Sequence, residues 1–325
     1  MATSLPNYYL TLADLVKRVN PDGALPRIVE LLNQTNEILQ DMPFVAGNLS
    51  TGHRSTVRTG LPSVVWTKLY KGVASSKSAT MQVDDTCGRA EARSEIDVRL
   101  VELTEAQSGF IANEQIPFFE AFNQTMAGGF FYFDTALDPT RFLGLAARYP
   151  TSATANVLSA GGTGSQLTSV WLIGWGPNTV HGITPKNVPG GLRHEYRGIE
   201  KCFDASGAPY YAHVNTYEWN IGVCVRDWRY IVRLANVNMA ANPANGVFAL
   251  NMLVEMLGTL PSWRLTEGKL AFYMHKNLWT QLMILAINKS NAALGWEDVM
   301  GQKVLSFWGI PIRQVDQLLL TETAI

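Results

Sequence analysis

Residues 104–134 read TEAQSGFIANEQIPFFEAFNQTMAGGFFYFD, and the rest of the chain is organised around this stretch. Thr104 followed by Gln107 has the form of a capping box, which satisfies free backbone N–H groups at a helix entrance. Ile111, Gln115, Phe118, Phe119, Phe122 and Met126 then fall close to one helical stripe, with Gln115 its polar member. A helix over Thr104–Ala127 is predicted, roughly 36 Å long at about 1.5 Å per residue. Pro117 removes one backbone donor inside it, so a kink or restart is expected there. Gly128-Gly129 is expected to end the helix and Phe130–Asp134 to continue as an aromatic strand.

The chain has 325 residues, enough for about two domains. Its formal net charge is −1, so no global field favours nucleic acid or an anionic membrane. Charged residues make up 16%, against roughly 25% in ordinary soluble domains. Mean hydropathy is +0.02, and the apolar residues are spread along the whole chain. That combination points to a surface largely covered by partners. Cys87, Cys202 and Cys224 are an odd count without pattern, which argues against a disulfide framework or a cysteine-based metal site. MATSLPNYYL lacks the features of a signal peptide, and no apolar run reaches membrane-spanning length. Synthesis in a reducing cytoplasm is expected.

Upstream of the central stretch, Thr11–Val19 and Ile28–Met42 read as two short helices, separated by the Asn20-Pro21-Asp22-Gly23 turn. From Pro43 to Val83, 41 residues contain no acid, while Arg54, Arg58, Lys68, Lys71 and Lys77 are all basic. Strand-like runs at Val64–Tyr70 and Ala79–Val83 make this a long two-stranded excursion. It is too polar to hold a core of its own and needs another surface, an acidic one, to lie on. Asp84-Asp85 is read as its closing turn, and Ala90–Leu103 as a strand or helix lead-in. Downstream, Pro150–Gln166 is a low-complexity loop and a candidate domain boundary. Val170–Ile173 reads as a buried strand, and Trp219–Val225 with Trp228–Ala235 as adjacent strands around Arg226-Asp227. Helices are expected over Pro243–Gly258 and Leu278–Ile287, a strand over Leu270–His275, and a final strand over Val304–Leu320.

Residues that could carry chemistry are few. Gly161-Gly162-Thr163-Gly164 lacks the Lys-Ser/Thr of a phosphate loop and the third glycine of a dinucleotide fingerprint. Neither a nucleophile elbow nor a His-Glu-x-x-His motif occurs. His53, His181, His194, His213 and His275 are not at ligand spacing and read as ordinary neutral histidines. Cys87 reads as a small buried hydrophobe rather than a nucleophile, and the Trp171/Trp175 and Trp219/Trp228 pairs as core rather than sugar platforms. No catalytic, cofactor or metal site is predicted.

The segment TGHRSTVRTGLPSVVWTKLYKGVASSKSATMQVDDTCG (51–88), with ELLNQTNEIL (30–39) and WGPNTVHGITPK (175–186), resembles tailed-bacteriophage major capsid proteins of the podovirus-type and related subfamily. KLAFYMHKNLWTQLMILAINKSN followed by FWGIPIRQVDQLL is similar to the closing pattern of these shell proteins. The resemblance covers nearly the whole chain and implies an α+β, HK-97-like fold. It implies an N-terminal arm (1–46), an extended β-hairpin loop (47–86) and a peripheral domain (87–150) whose spine helix is 104–127. An axial domain (151–300) and a return strand to the peripheral domain (301–325) complete it. Arg54, Arg58, Trp66, Lys68, Lys71 and Lys77 would then make inter-subunit contacts through the loop. Phe118, Phe119, Phe122 and Met126 would mark the spine helix.

The implied function is structural, not enzymatic. The chain would self-assemble through pentamers and hexamers into an icosahedral head shell, a virion component assembled in the host cytoplasm. The partners implied are a separate scaffolding protein, a portal protein, a decoration or cement protein, and packaged double-stranded DNA contacted non-specifically, with no membrane. Some relatives weld neighbours through Lys–Asn bonds, but no Asn and acid partner for Lys68, Lys71 or Lys77 can be matched. The alternative is an encapsulin-like nanocompartment shell, which shares the fold and encloses cargo enzymes.

Overall fold

The computed structural model describes residues 10, 14, 34–104, 107–239, 250–262, 268–287, 294–299 and 302–325. In chain order the elements are α1 (Ile38–Asp41), β1 (Phe44–Ala46), β2 (Gly52–Gly60), β3 (Ala79–Asp97), α2 (Val98–Glu102), α3 (Gln107–Tyr132) and α4 (Leu145–Arg148). There follow β4 (Val157–Ser159), β5 (Leu167–Trp175), β6 (Val180–Thr184), β7 (Arg193–Phe203), β8 (Pro209–Val225), β9 (Ile231–Asn238) and α5 (Leu250–Gly258). The chain closes with β10 (Lys269–Met274), α6 (Lys276–Ile287), β11 (Leu294–Val299), β12 (Gln302–Phe307) and β13 (Ile310–Gln314). Among the described residues strands outnumber helices, in a mixed α+β fold.

Two compact units divide the chain. The first gathers residues 1–34, 89–126 and 191–220, and the second 35–88, 127–190 and 221–325. Both flanks of the 150–166 loop therefore belong to the second unit.

In the second unit, β5 is buried at every position, because LTSVWLIGW has side chains to bury on both faces. It runs antiparallel to β9 and to β10. β10 pairs in parallel with β13, Phe272 opposite Ile312. Leu172, Val232, Leu253, Met256, Phe272 and Phe307 belong to one core formed by these strands with α5 and α6. Beyond β5, the β6 strand pairs antiparallel with the end of β8 and parallel with β1. Arg233 crosses this interior. It donates to Glu322, to Ser169 and to the Tyr149 carbonyl, and it lies 5.2 Å from the Trp171 ring centre. Glu322 also accepts from Tyr132 at 2.6 Å and from Ser169, so three donors satisfy the buried carboxylate.

In the first unit, β7 and β8 form a long antiparallel hairpin, Arg193 opposite Glu218 and Phe203 opposite Pro209, with a bulge near Arg197. Arg89 pairs with Glu91 and Glu218, and Arg93 with Glu95 and Glu200. Ile96, Leu100, Val101 and Phe110 form a small core, with Leu10 and Ile111 against it. Phe118 stacks on Tyr217 at 4.9 Å between ring centres.

Several expectations are corrected. α3 begins at Gln107 and runs without restart through Pro117 and Gly128-Gly129 to Tyr132. The aromatic run Phe130–Tyr132 is therefore helix, and Phe130 and Phe131 are buried core. A Cβ at Gly129 would lie 2.4 Å from the Phe133 ring, so a larger residue there requires that ring to move. The Thr104 hydroxyl donates to the Val101 carbonyl at 2.7 Å, closing the turn before the helix. Val64–Tyr70 is not a strand; Gly52–Gly60 takes that place. Asp84-Asp85 lies inside β3 rather than at a turn. β9 pairs with β5 and β4, not with β8. The closing segment is a hairpin, not one strand. It turns at Trp308 (φ 50°) and Gly309 (φ 78°), the two positive φ values that a tight hairpin demands. Through β13 it pairs with β10, a strand within 151–300. Apart from Asp14, which is helical, the predicted 11–19 helix lies outside the described residues, as do residues 28–33 and the part of the predicted 243–258 helix before Leu250. Of the predicted 28–42 helix, residues 34–37 are not helical, Asn36 bridging instead to Val315, and only Ile38–Asp41 forms a helix.

Candidate inter-subunit surface

The acid-free excursion is a β-hairpin with a bare tip. β2 and β3 pair antiparallel from Gly52↔Thr86 to Gly60↔Ala79. The intervening residues 61–78 form neither helix nor strand, and every one of them is exposed. Trp66 and Tyr70 have essentially all their surface in water (104% and 107%), with Leu61, Val64, Leu69 and Val73 also exposed. The side-chain tie within the tip runs from the Ser76 hydroxyl to the Ser63 carbonyl at 3.1 Å. A monomer does not ordinarily hold this many large apolar groups in water on one projection.

The basic residues divide in two. Arg54 is paired within its own hairpin, donating to both carboxylate oxygens of Asp84 at 2.6 Å. That contact holds the Asp84 carboxyl below the usual range. Arg58, Lys68, Lys71 and Lys77 have no ion pair among the described residues. Beside the hairpin a groove of about 1150 Å³ is lined by Arg54, Arg58, Arg148, Arg226 and Arg229, against a single acid, Asp227.

The base of the hairpin, by contrast, is pinned. Asp85 points to the opposite face from Asp84, as neighbours in a strand must, and is buried. It accepts from Arg148 at 2.7 Å and from the Val225 amide at 3.2 Å. Arg148 donates in turn to the Val223 carbonyl at 3.2 Å. Gly52 is forced by close approach: a Cβ would sit 2.0 Å from the Asp85 carbonyl oxygen. His53, next along β2, is buried, with its Nε2 3.0 Å from the Arg226 guanidinium.

The structure brings His53 and His181 together, ring centres 5.9 Å apart, with Cys224 beside them. Burial, then Arg226 and His53, hold the His181 imidazole down to about 4. Burial and then Asp85 push the Cys87 thiol up to about 12, so it is no nucleophile at neutral pH. His194, His213 and His275 go elsewhere: His194 contacts Asn215, His213 contacts Tyr196, and His275 accepts from the Asn277 amide. Of the tryptophans, Trp171 and Trp175 are core, and Trp175 donates to the Tyr273 hydroxyl; Trp228, expected in the core, is instead exposed. On α3, Phe122 and Met126 are buried, Phe118 is half-buried and Phe119 is exposed. Sequence reasoning missed the pinning by Asp85 and the Arg233–Glu322 pair. The signal for the second was a lone arginine inside the apolar run IVRLANV.

The family model for major capsid protein GP7 matches residues 20–325. Among solved structures, the chain is similar to a near-atomic structure of bacteriophage Epsilon15. The two are 29% identical with a TM-score of 0.77, covering 100% of this chain and 98% of that one. It is less similar to the bacteriophage JBD30 capsid (11% identity, TM-score 0.49, 92% of this chain and 99% of that one). The holo-encapsulin complex of Synechococcus elongatus is fainter still (9%, TM-score 0.44, 66% and 93%). No curated protein matches. An α+β fold with a projecting, coreless hairpin, matched over its full length by a phage structure, defines a shell subunit of the HK-97-like class. The chain belongs to the major capsid protein GP7 family. It is a structural protein of the phage capsid, part of the virion, and self-assembles into oligomeric shells.

Proposed function

We propose that the subunit closes an icosahedral head around double-stranded DNA by laying its β2–β3 hairpin on the next subunit. The observation that carries this is the tip at 61–78, apolar, lysine-bearing and exposed throughout, on a base that is rigidly held. Such a tip finishes its burial on a neighbour. Arg58, Lys68, Lys71 and Lys77 meet acidic groups there, and Trp66 supplies the apolar anchor. Contacts of this heterologous kind, repeated through pentamers and hexamers, close a shell without any one of them being strong.

Residues 1–46 serve as the arm and 87–150 as the peripheral domain, with α3 as its spine. Residues 151–300, together with the closing hairpin that pairs to β10, form the axial domain. A separate scaffolding protein guides assembly in the host cytoplasm, a portal occupies one vertex, and a cement protein binds outside. The near-neutral charge suits a container that does not trap its DNA, and the subunit does no chemistry.

Electron microscopy and size-exclusion chromatography of the chain co-expressed with its scaffold test the reading. Uniform shells, with nuclease-protected DNA in particles from infected cells, are expected. A discrete soluble monomer or dimer would sink the shell assignment. Shells that carry enzyme cargo and no DNA would favour a nanocompartment. Uniform shells from the chain alone would refute the scaffold.

A further inference from the structure

The base of the hairpin holds a cluster that its structural role does not explain. His53 on β2, His181 on β6 and Cys224 on β8 are all buried, and one ligating atom from each lies within 4.8 Å of the others. His181 has no measurable exposure, and neither of its ring nitrogens has a well-formed hydrogen bond; Nδ1 of His53 is likewise without a partner. The Cys224 thiol is held by the Asp85 carboxylate. Two buried imidazoles with unpaired nitrogens converging on a thiol are what a metal-ligand set looks like, because buried polar groups are otherwise paired.

We propose that His53, His181 and Cys224 bind a zinc-class divalent ion that ties the hairpin to β6 and β8. Imidazole nitrogen with thiolate sulfur suits zinc rather than magnesium or calcium. Zn–N and Zn–S bonds of about 2.0–2.3 Å put tetrahedral ligand atoms roughly 3.5 Å apart. Closing the cluster needs shifts of about 1 Å or less on that geometry. Water or a nearby oxygen takes the fourth position, and Asp85, which accepts from the Val225 amide next to Cys224, offsets part of the charge.

Binding has two proton consequences. The Cys224 thiol proton is lost to solvent as the Zn–S bond forms. Arg226 donates to Nε2 of His53, so the metal takes Nδ1, the ring proton moves from Nδ1 to Nε2, and the Arg226 contact opens. Arg226 therefore competes with the ion.

Purified, chelator-washed shells are analysed for metal, then stripped and titrated with Co²⁺ alone. One tightly held zinc per subunit, and a thiolate-to-cobalt charge-transfer band with Co²⁺, are expected. The band is lost in Cys224→Ser and in His181→Asn. Should either variant fail to assemble, Arg226→Gln, which removes the competing cation, decides: it retains metal more tightly than wild type. Metal-free wild-type shells without a cobalt band would overturn the site. So would a band that survives Cys224→Ser, or weaker retention in Arg226→Gln.

Discussion

Asp84 and Asp85 follow one another along β3, and the extended backbone turns them to opposite faces. Asp84 meets Arg54 in water, with both side chains nearly half exposed. Asp85 meets Arg148 with side-chain exposures of 2% and 16%. Removing one partner of a buried pair leaves an uncompensated charge, at a cost of about 3–5 kcal/mol. Asp85→Asn is expected to lower subunit stability by that order in denaturant unfolding, whereas Asp84→Asn leaves it near wild type. Equal losses in the two variants would contradict the division of labour. The pair also shows where sequence reading stops. Two adjacent acids after a basic run have the composition of a turn. Their strand geometry depends on Arg148, Val225 and Arg54, none of which is a neighbour in the chain.

At the scale of elements, α3 was legible as a helix and its end was not. Gly-Gly costs about 2 kcal/mol in helix propensity, a local signal for termination. Burying Phe130 and Phe131 outweighs it, because each large aromatic contributes roughly 1.5–3 kcal/mol or more. The hairpin is legible as two strands with a basic loop, yet composition puts the first strand in the wrong half. Val64–Tyr70 has the composition of a strand, but Gly52–Gly60 is the segment in register with β3, and a strand needs a partner more than a propensity. The buried trio at the hairpin base was not legible, since its members stand far apart in the chain.

Two predictions belong to these elements. Pro117→Ala returns a backbone donor toward the Asn113 carbonyl, so subunit stability is expected not to fall while particle size or yield changes; unchanged particles would show that Pro117 is merely tolerated. Trp66→Ala removes an exposed group, so the isolated subunit is expected to melt as wild type while shell yield drops at least tenfold on sedimentation. Parallel losses of both would place Trp66 in the subunit's own core instead.

For the whole molecule, low charge and evenly spread apolar residues are what the proposed shell role calls for, since a shell subunit covers much of its surface with neighbours. No weld is needed if many modest contacts act together. Mature particles boiled in detergent are therefore expected to run as a single band near 35.8 kDa; a ladder would reveal covalent linkage through Lys68, Lys71 or Lys77. The tip of the hairpin adds a thermal consequence. On the proposed reading its exposed Leu61, Val64, Trp66, Leu69, Tyr70 and Val73 leave water when subunits join, and apolar association weakens on cooling. Immature shells held at ice temperature are expected to shed subunits that warming restores, with light scattering as the readout. Scattering that is flat or rises in the cold would mean that charge rather than apolar burial holds the hairpins down.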